Sequence, residues 1–297
     1  MLRQNWDAVC GIDLDTLAPC FLMAKIKGKP CVYDAHEYFS EVPEVQHRPL
    51  TKAVWEWLAR LLVPRIRYAC TVGPMLARAL TERYGTDFRV IRNVPYSQPF
   101  HLGKTGPSPG PFVVLYQGVL NEGRGLEVAI GAVAGMDDVQ LVLCGEGDLS
   151  ARLRALAERL KVGEKVVFKG KLPPEQLRSE TPKAHVGLNL LGNKGLNYYF
   201  SLANKAFDYI QAGVPAICMD FPEYSALNEK YKVFHLLDSL SVEQLSTALT
   251  ILKSDREYLN ELRMNCLKAA KDLTWEREEK KLLALWKEVF NGSEESQ

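Results

Sequence analysis

The segment SLANKAFDYIQAGVPAI at residues 201–217 places polar side chains in a helical pattern. Residues three and four apart share one face of a helix, so Ser201, Lys205 and Asp208 form a polar stripe, with Asn204 beside it. A lysine can neutralise a phosphate, and a carboxylate can accept hydrogen bonds from sugar hydroxyls. The same stripe would also suit a solvated Lys–Asp pair that contributes only about 0.2–0.5 kcal/mol. A ligand site and an exposed helix face are therefore both open.

A glycine-rich loop follows an apolar strand pattern at QGVLNEGRG, residues 117–125. Its three glycines, Gly118 among them, allow a ligand to approach the backbone, and the start of the next helix offers free N–H groups to an anion. Arg124 adds a cation suited to phosphate. The loop lacks the Gly-Lys-Ser/Thr sequence of a P-loop, which argues against a nucleoside triphosphatase. Together with Lys205, Arg124 would supply the two cations that neutralise a diphosphate, while Asp208 would accept hydrogen bonds from a ribose.

A second group of polar residues, Asp34, His36 and Glu37, follows a strand pattern in DAHEYF at residues 34–39. Open α/β sheets bind ligands at the carboxyl ends of their strands, although a lone histidine there is also typical of a structural residue. No further His or Cys stands at metal-ligand spacing, and no Gly-x-Ser-x-Gly motif is present. The pattern therefore predicts neither a metal site nor a Ser-His-Asp hydrolase.

The composition is that of a globular protein of 297 residues, with 47% hydrophobic and 25% charged residues. The net charge of +1 gives no overall attraction to nucleic acid, so no nucleic-acid partner is expected. Seven scattered cysteines are typical of buried thiols in a reducing compartment. With no signal-peptide pattern and no apolar run of about 20 residues, we expect a cytoplasmic location.

Short apolar runs alternate with amphipathic helical patterns along the chain, which is typical of parallel α/β sheets. We predict two doubly wound, Rossmann-like domains at residues 1–100 and 101–274, with the Pro/Gly/Ser-rich stretch 95–111 between them. A periodic helix at 275–297 follows. The first domain is expected to be incomplete, because about two βαβ steps that would normally precede its first strand are missing.

Several stretches resemble retaining glycosyltransferases with the GT-B fold, of the group 1 or family 4 type. QGVLNEGRGLEVAI, VVFKGKLPPEQL and, most specifically, SLANKAFDYIQAGVPAI are similar to their carboxyl half, and VYDAHEYFSEVPE is similar to their amino-terminal domain. The resemblance implies two domains facing each other across a cleft and a C-terminal helix that crosses back to the first domain. It implies a nucleotide diphosphate-sugar donor, a glycan or lipid-linked acceptor, and no metal or other cofactor.

The resemblance also implies roles for residues that bind the donor. Asp208 matches the second acid of the family's Glu-x7-Glu motif, which binds the ribose. Arg124 matches the basic residue of the glycine loop, where Gly118 lies, and Lys205 matches a lysine that faces the donor. Phe200 stands at the position of the first acid and cannot bind the donor sugar in that way, so Asn197 or backbone groups before the helix are expected to take that part.

On the acceptor side, the resemblance implies that His36 lines the reacting centre. Two other functions stay open: a non-catalytic module that binds nucleotide sugars or glycans, and a nucleotide-sugar epimerase. Trp55 and Trp57 lie on one predicted helix. They suit packing on the sheet, and they also leave open a peripheral contact with the inner face of a membrane.

Overall fold

The computed structural model describes residues 4–97 and 110–294, which divide into two compact units. The first unit consists of the chain up to Asn93, Asn193–Leu202 and the C-terminal segment from Trp275. The second consists of Val94–Gly192 and Ala203–Thr274. Most of the linker expected at 95–111 lies outside the described residues. The segment 193–202, which the sequence pattern assigns to the second domain, belongs to the first unit because its side chains pack there.

A parallel sheet of four strands, in the order β1-β2-β3-β4, forms the first unit. The strands are β1 (Val9–Ile12), β2 (Cys31–Ala35), β3 (Tyr68–Thr71) and β4 (Phe88–Val90). The helices that follow them are α1 (Asp13–Lys27), α2 (Pro43–Gln46), α3 (Pro49–Leu62) and α4 (Pro74–Tyr84). On one face of the sheet, α1, α3 and α4 bury a core that includes Leu17, Tyr33, Leu62 and Leu76.

The C-terminal helix α13 (Trp275–Glu294) packs in the first unit, where it forms a separate apolar cluster with residues of β2 and β3. Leu285 and Val289 are fully buried there against Val32 and Cys70. Arg92 also donates its backbone N–H to the Glu278 carboxylate at 3.1 Å. Although α13 is long, its apolar residues form only a stripe between charged ones. None of the helices within the described ranges is long and apolar enough to cross a membrane.

Six parallel strands form the sheet of the second unit, in the order β10-β9-β8-β5-β6-β7. The strands are β5 (Phe112–Gln117), β6 (Val139–Cys144), β7 (Val166–Gly170), β8 (Val186–Asn189), β9 (Ala216–Met219) and β10 (Phe234–Leu237). The helices are α5 (Leu126–Ala134), α6 (Ser150–Arg159), α7 (Pro174–Glu180), α9 (Asn204–Gln211), α10 (Pro222–Tyr231), α11 (Val242–Ser254) and α12 (Arg256–Ala269). The short helix α8 (Leu196–Tyr199) precedes α9 but lies in the first unit.

The strand order fixes where the second unit can bind a ligand. From β5 the chain moves outward through β6 and β7, then returns to β8 on the other side of β5 and continues through β9 to β10. Connections leave in opposite directions at this point, and open α/β sheets typically bind ligands in a crevice at the carboxyl ends of two such strands, here β5 and β8. The predicted fold class of two parallel, Rossmann-like α/β domains is confirmed, and the strand order of the second unit is doubly wound.

The burial of α13 predicts how substitutions on this helix change the stability of the protein. Replacement of Leu285 by alanine removes a side chain that is 0% exposed and should lower the free energy of unfolding by about 2–5 kcal/mol. The matched control is Leu283→Ala on the same helix, where the side chain is 54% exposed and the loss should be small. Urea denaturation followed by circular dichroism measures both. Equal losses in the two variants would contradict this packing of α13.

Candidate functional site

Two interlocked loops form the carboxyl edge of the second sheet beside the crevice. Gly118, directly after β5, donates its backbone N–H to the carbonyl oxygen of Cys144 at the end of β6, at 2.9 Å. Gly118 has a φ of +133°, and a Cβ placed on Gly145 would lie only 1.8 Å from the carbonyl oxygen of Gly118. Both positions therefore need glycine. That Gly118 lets a ligand approach the backbone at this edge stays a prediction.

Lys205, in the first turn of α9, lies over the aromatic ring of Tyr116. Its Nζ is 3.9 Å from the ring centroid, a favourable cation–π distance. A Cβ on Gly118 would lie 3.2 Å from the same Nζ, so the glycine leaves room for the lysine. Burial, reinforced by the positive charge of Arg124, lowers the pKa of Lys205 to about 7. The two cations expected from the sequence are thus close enough to interact.

Asp208 lies one turn later on α9 and is held by the end of β5. Gln117 donates from Nε2 to Oδ2 of Asp208 at 3.0 Å, and its Oε1 accepts from the hydroxyl of Thr181 at 2.9 Å. Burial raises the pKa of Asp208, while the bond from Gln117 and the charge of Arg178 oppose that rise. Each charged residue of α9 therefore has a partner on the β5 side, unlike the solvated Lys–Asp pair considered from the sequence.

Tyr209 fixes α9 beneath these side chains, a role not predicted from the sequence. Its hydroxyl accepts from the backbone N–H of Gln117 at 3.2 Å, and it lies 3.2 Å and 3.3 Å from the carbonyl oxygens of Leu115 and Leu188. A Cβ on Gly187 would lie 2.6 Å from the Tyr209 ring, so that glycine allows the ring to lie against β8. The sequence held one sign of this arrangement: Gln117, the partner of Tyr209, is a polar residue at the end of an otherwise apolar strand.

The helix that carries these residues begins later than the sequence pattern indicates. A start at Ser201 was expected, but α9 begins at Asn204, because Ala203 is extended and donates its backbone N–H to the hydroxyl of Tyr224 at 2.9 Å. The Ser201 hydroxyl instead donates to the carbonyl oxygen of Tyr198 at 2.8 Å. Placement of Ser201 on the stripe with Lys205 is therefore wrong.

His36 lies in the first unit, at the carboxyl end of β2, within a polar network. Its Nε2 lies 3.1 Å from Oδ2 of Asp34, and the amide of Asn93 lies 3.2 Å from its Nδ1. Because the amide donates to Nδ1, we assign the ring proton to Nε2. The bond to Asp34 raises the pKa of His36 against the effect of burial. The carboxylate of Asp13 accepts the backbone N–H of His36 at 2.8 Å and fixes the loop.

Asn197, expected to contact the donor, lies in the first unit next to the loop that carries His36. Its Oδ1 accepts the backbone N–H of Tyr38 at 3.0 Å, and its Nδ2 lies 3.5 Å from a carboxylate oxygen of Glu37. Phe200 packs against the main core of the same unit. These contacts explain why an apolar residue replaces an acid at position 200, and they give Asn197 a structural role; a donor contact by Asn197 stays a prediction.

Metal binding was expected to be absent. Across residues 4–97 and 110–294, the structure brings no three His, Cys, Asp or Glu side chains into a group that could hold a metal ion. The expectation that no metal is needed stays a prediction, to be tested with the activity.

Comparison with known proteins identifies the family. The sequence model of glycosyl transferases group 1 matches residues 97–273. No curated protein gives a significant sequence match.

Solved structures with the same fold include HepE from Anabaena in complex with UDP and sucrose-phosphate synthase from Thermosynechococcus elongatus. HepE has 15% identity and a TM-score of 0.76, with 95% of this chain and 79% of HepE covered. The synthase has 17% identity and a TM-score of 0.77, with 98% and 75% covered. A glycosyltransferase from Rickettsia africae ESF-5 has 11% identity and a TM-score of 0.62, with 96% and 99% covered.

These likenesses agree with the two parallel α/β units described above and establish the fold. The family match spans more than half of the chain and includes the loop of Gly118 and the helix of Lys205 and Asp208. The protein therefore belongs to the group 1 glycosyl transferases and is a glycosyltransferase with the GT-B fold.

Proposed function

We propose that the protein transfers a sugar from a nucleoside diphosphate donor to a glycan or lipid-linked acceptor, with retention of the anomeric configuration. The observation that supports this most is the position of Lys205 and Asp208 on α9, beside the crevice at the ends of β5 and β8. HepE was solved with UDP and with UDP-glucose, which makes UDP the first nucleotide to test here.

Donor binding would divide between these side chains by charge. The diphosphate lies against Lys205 and Arg124, with Gly118 allowing the phosphate oxygens to approach the backbone. Asp208 accepts hydrogen bonds from the ribose hydroxyls, which its anchoring by Gln117 leaves possible because a carboxylate has about four acceptor sites. The amide groups at the start of α5 add a partial positive charge.

The same cations would serve the chemical step. As the bond from the anomeric carbon to the diphosphate oxygen breaks, positive charge develops on the sugar and negative charge on the leaving diphosphate. Lys205 and Arg124 would stabilise that negative charge and so lower the barrier to the reaction. They would do so without a metal ion. His36, fixed by Asp34 and Asn93, would orient a hydroxyl of the acceptor or donor.

Donor hydrolysis tests this function without knowledge of the acceptor. The full chain is incubated with UDP-glucose and other UDP-sugars in EDTA, and proton NMR follows the first anomer released. Release of UDP with an α-configured sugar supports retention and a metal-free site. A β-configured product, or a strict need for added metal, would contradict it. Binding without turnover would favour the binding module, and conversion of one UDP-sugar into another would favour the epimerase.

Substitutions on α9 should separate contacts to phosphate from contacts to ribose. Lys205→Met removes a charge-assisted hydrogen bond worth about 1.5–3 kcal/mol, so UDP should bind about 10–150 times more weakly while uridine is little affected. Asp208→Asn should weaken UDP and uridine alike. Isothermal titration calorimetry measures the affinity of each of the two variants for UDP and for uridine.

Two variants serve as controls for that titration. Lys230→Met removes a lysine that also lies over an aromatic ring, that of Tyr231 at 4.9 Å. Asp137→Asn removes an exposed carboxylate before β6. Both should bind UDP normally. Unchanged affinities in the Lys205 and Asp208 variants would show that these two residues do not bind the donor.

The lowered pKa of Lys205 makes UDP binding depend on pH. Below its pKa of about 7 the lysine is charged, and above it the charge is lost, so affinity should fall as pH rises from 7 to 9. The terminal phosphate of UDP loses its second proton with a pKa of about 6, so it is already ionised in this range. We expect a decrease of about fivefold or more in the parent protein and a nearly flat profile in Lys205→Met. A parent profile as flat as that of the variant would refute the assignment.

A further inference from the structure

Helix α3 of the first unit carries an apolar stripe that the fold leaves exposed. Leu50, Val54, Trp57 and Leu61 are 84%, 56%, 61% and 37% exposed, and their spacing of four, three and four residues aligns them along one side of the helix. Trp55 differs from them, because its ring packs edge-on against Phe39 at 5.0 Å. Of the two tryptophans noted in the sequence, only Trp57 therefore belongs to the exposed stripe.

The neighbouring helix α1 also exposes large apolar residues. It packs beside α3 and exposes Leu22 and Ile26, each 60% accessible and one helical turn apart. We refer to the exposed surface of these two helices as the α1–α3 face. Single exposed apolar residues are ordinary, but several large ones on adjacent helices mark a surface that binds something.

Positive charge is concentrated on the same two segments, although the whole chain has a net charge of only +1. Residues 22–29 and 48–67 contain eight lysines and arginines and one acid, Glu56, which pairs with Arg60 and Arg83. The basic residues are Lys25, Lys27, Lys29, Arg48, Lys52, Arg60, Arg65 and Arg67. Asp7 and Glu41 offset Lys29 and Lys52, and the face keeps an excess of positive charge.

A cavity of about 460 Å³ opens at the basic end of this face. Lys25, Lys29, Arg65 and Arg67 line it, together with apolar side chains that include Phe21. The ammonium group of Lys25 lies 5.7 Å from the centroid of the Phe21 ring. Cations around a partly apolar recess provide a suitable environment for a phosphate group attached to hydrocarbon.

We propose that the α1–α3 face docks on the surface of an anionic phospholipid bilayer. Leu50, Val54, Trp57 and Leu61 enter the boundary between headgroups and acyl chains, and the surrounding lysines and arginines contact lipid phosphates. A second copy of the chain fits less well, since it would bring two positive faces together. The inference concerns where the enzyme works and is independent of the donor site in the second unit.

Flotation of the full chain with vesicles tests the proposal. Vesicles of phosphatidylcholine alone and of phosphatidylcholine mixed with phosphatidylglycerol are used at low salt, with no sugar donor present. The parent should float with the anionic vesicles, and much less with the neutral ones. Added salt should release it, because surface attraction is screened. Tryptophan fluorescence should shift to the blue on binding, and Trp57→Phe should lose most of that shift.

Paired variants separate the apolar stripe from the charges. Lys25→Gln with Arg65→Gln should weaken binding about thirtyfold, and Leu50→Ser with Trp57→Ser by about tenfold or more. Controls remove two basic residues, or two large apolar residues, from other exposed positions: Arg159→Gln with Lys268→Gln, and Leu160→Ser with Leu283→Ser. These should bind like the parent.

The proposal is overturned by failure of the parent to bind anionic vesicles at low salt, or by equal losses in the control variants. It is also overturned if sedimentation equilibrium shows that the parent is a dimer and the Leu50/Trp57 variant a monomer, since the stripe would then bind a second copy. Vesicle binding needs no donor, so its outcome does not depend on the activity assigned to the second unit.

Discussion

The hydroxyl group of Tyr209 joins α9 to β5 and β8, the two neighbouring strands at which the strand order of the second sheet reverses. It accepts the N–H of Gln117 and lies within hydrogen-bonding distance of the carbonyl groups of Leu115 and Leu188. Since the hydroxyl is buried, loss of these partners would leave polar groups without solvent. The bonds fix both the height and the rotation of α9. Lys205 and Asp208 owe their positions over β5 to that placement.

Much of the fold could be predicted from the sequence because buried parallel strands are continuous apolar runs. Nine of the ten strands correspond to such runs, and the stripe of α13 follows from its periodicity. The missed strand, β10, has only four residues, FHLL, which periodicity cannot assign. The sequence pattern predicts none of the helices α10–α12 beside it. Local pattern therefore identified most strands, but it missed α11 and α12, although each of them buries four residues.

The candidate site was predictable in part, for a physical reason. Lys205, Asp208, Arg124 and Gly118 were found because charge and glycine stand out in a sequence. Gln117 was missed, since its importance comes from a contact with α9, ninety-one residues away. The start of α9 was misplaced for a related reason: Phe200 packs in the core of the first unit, so the chain before Ala203 follows tertiary contacts rather than helical periodicity.

The central claim is that the ammonium group of Lys205 contacts a bound diphosphate. Heteronuclear NMR of lysine-labelled protein, with Lys205→Met used to assign the signal, measures the pKa of that group directly. Without ligand we predict a pKa of about 7. Saturation with UDP should raise it by about one unit or more, because a neighbouring anion favours the charged form. A Lys205 signal that titrates at the same pH with and without bound UDP would contradict the account.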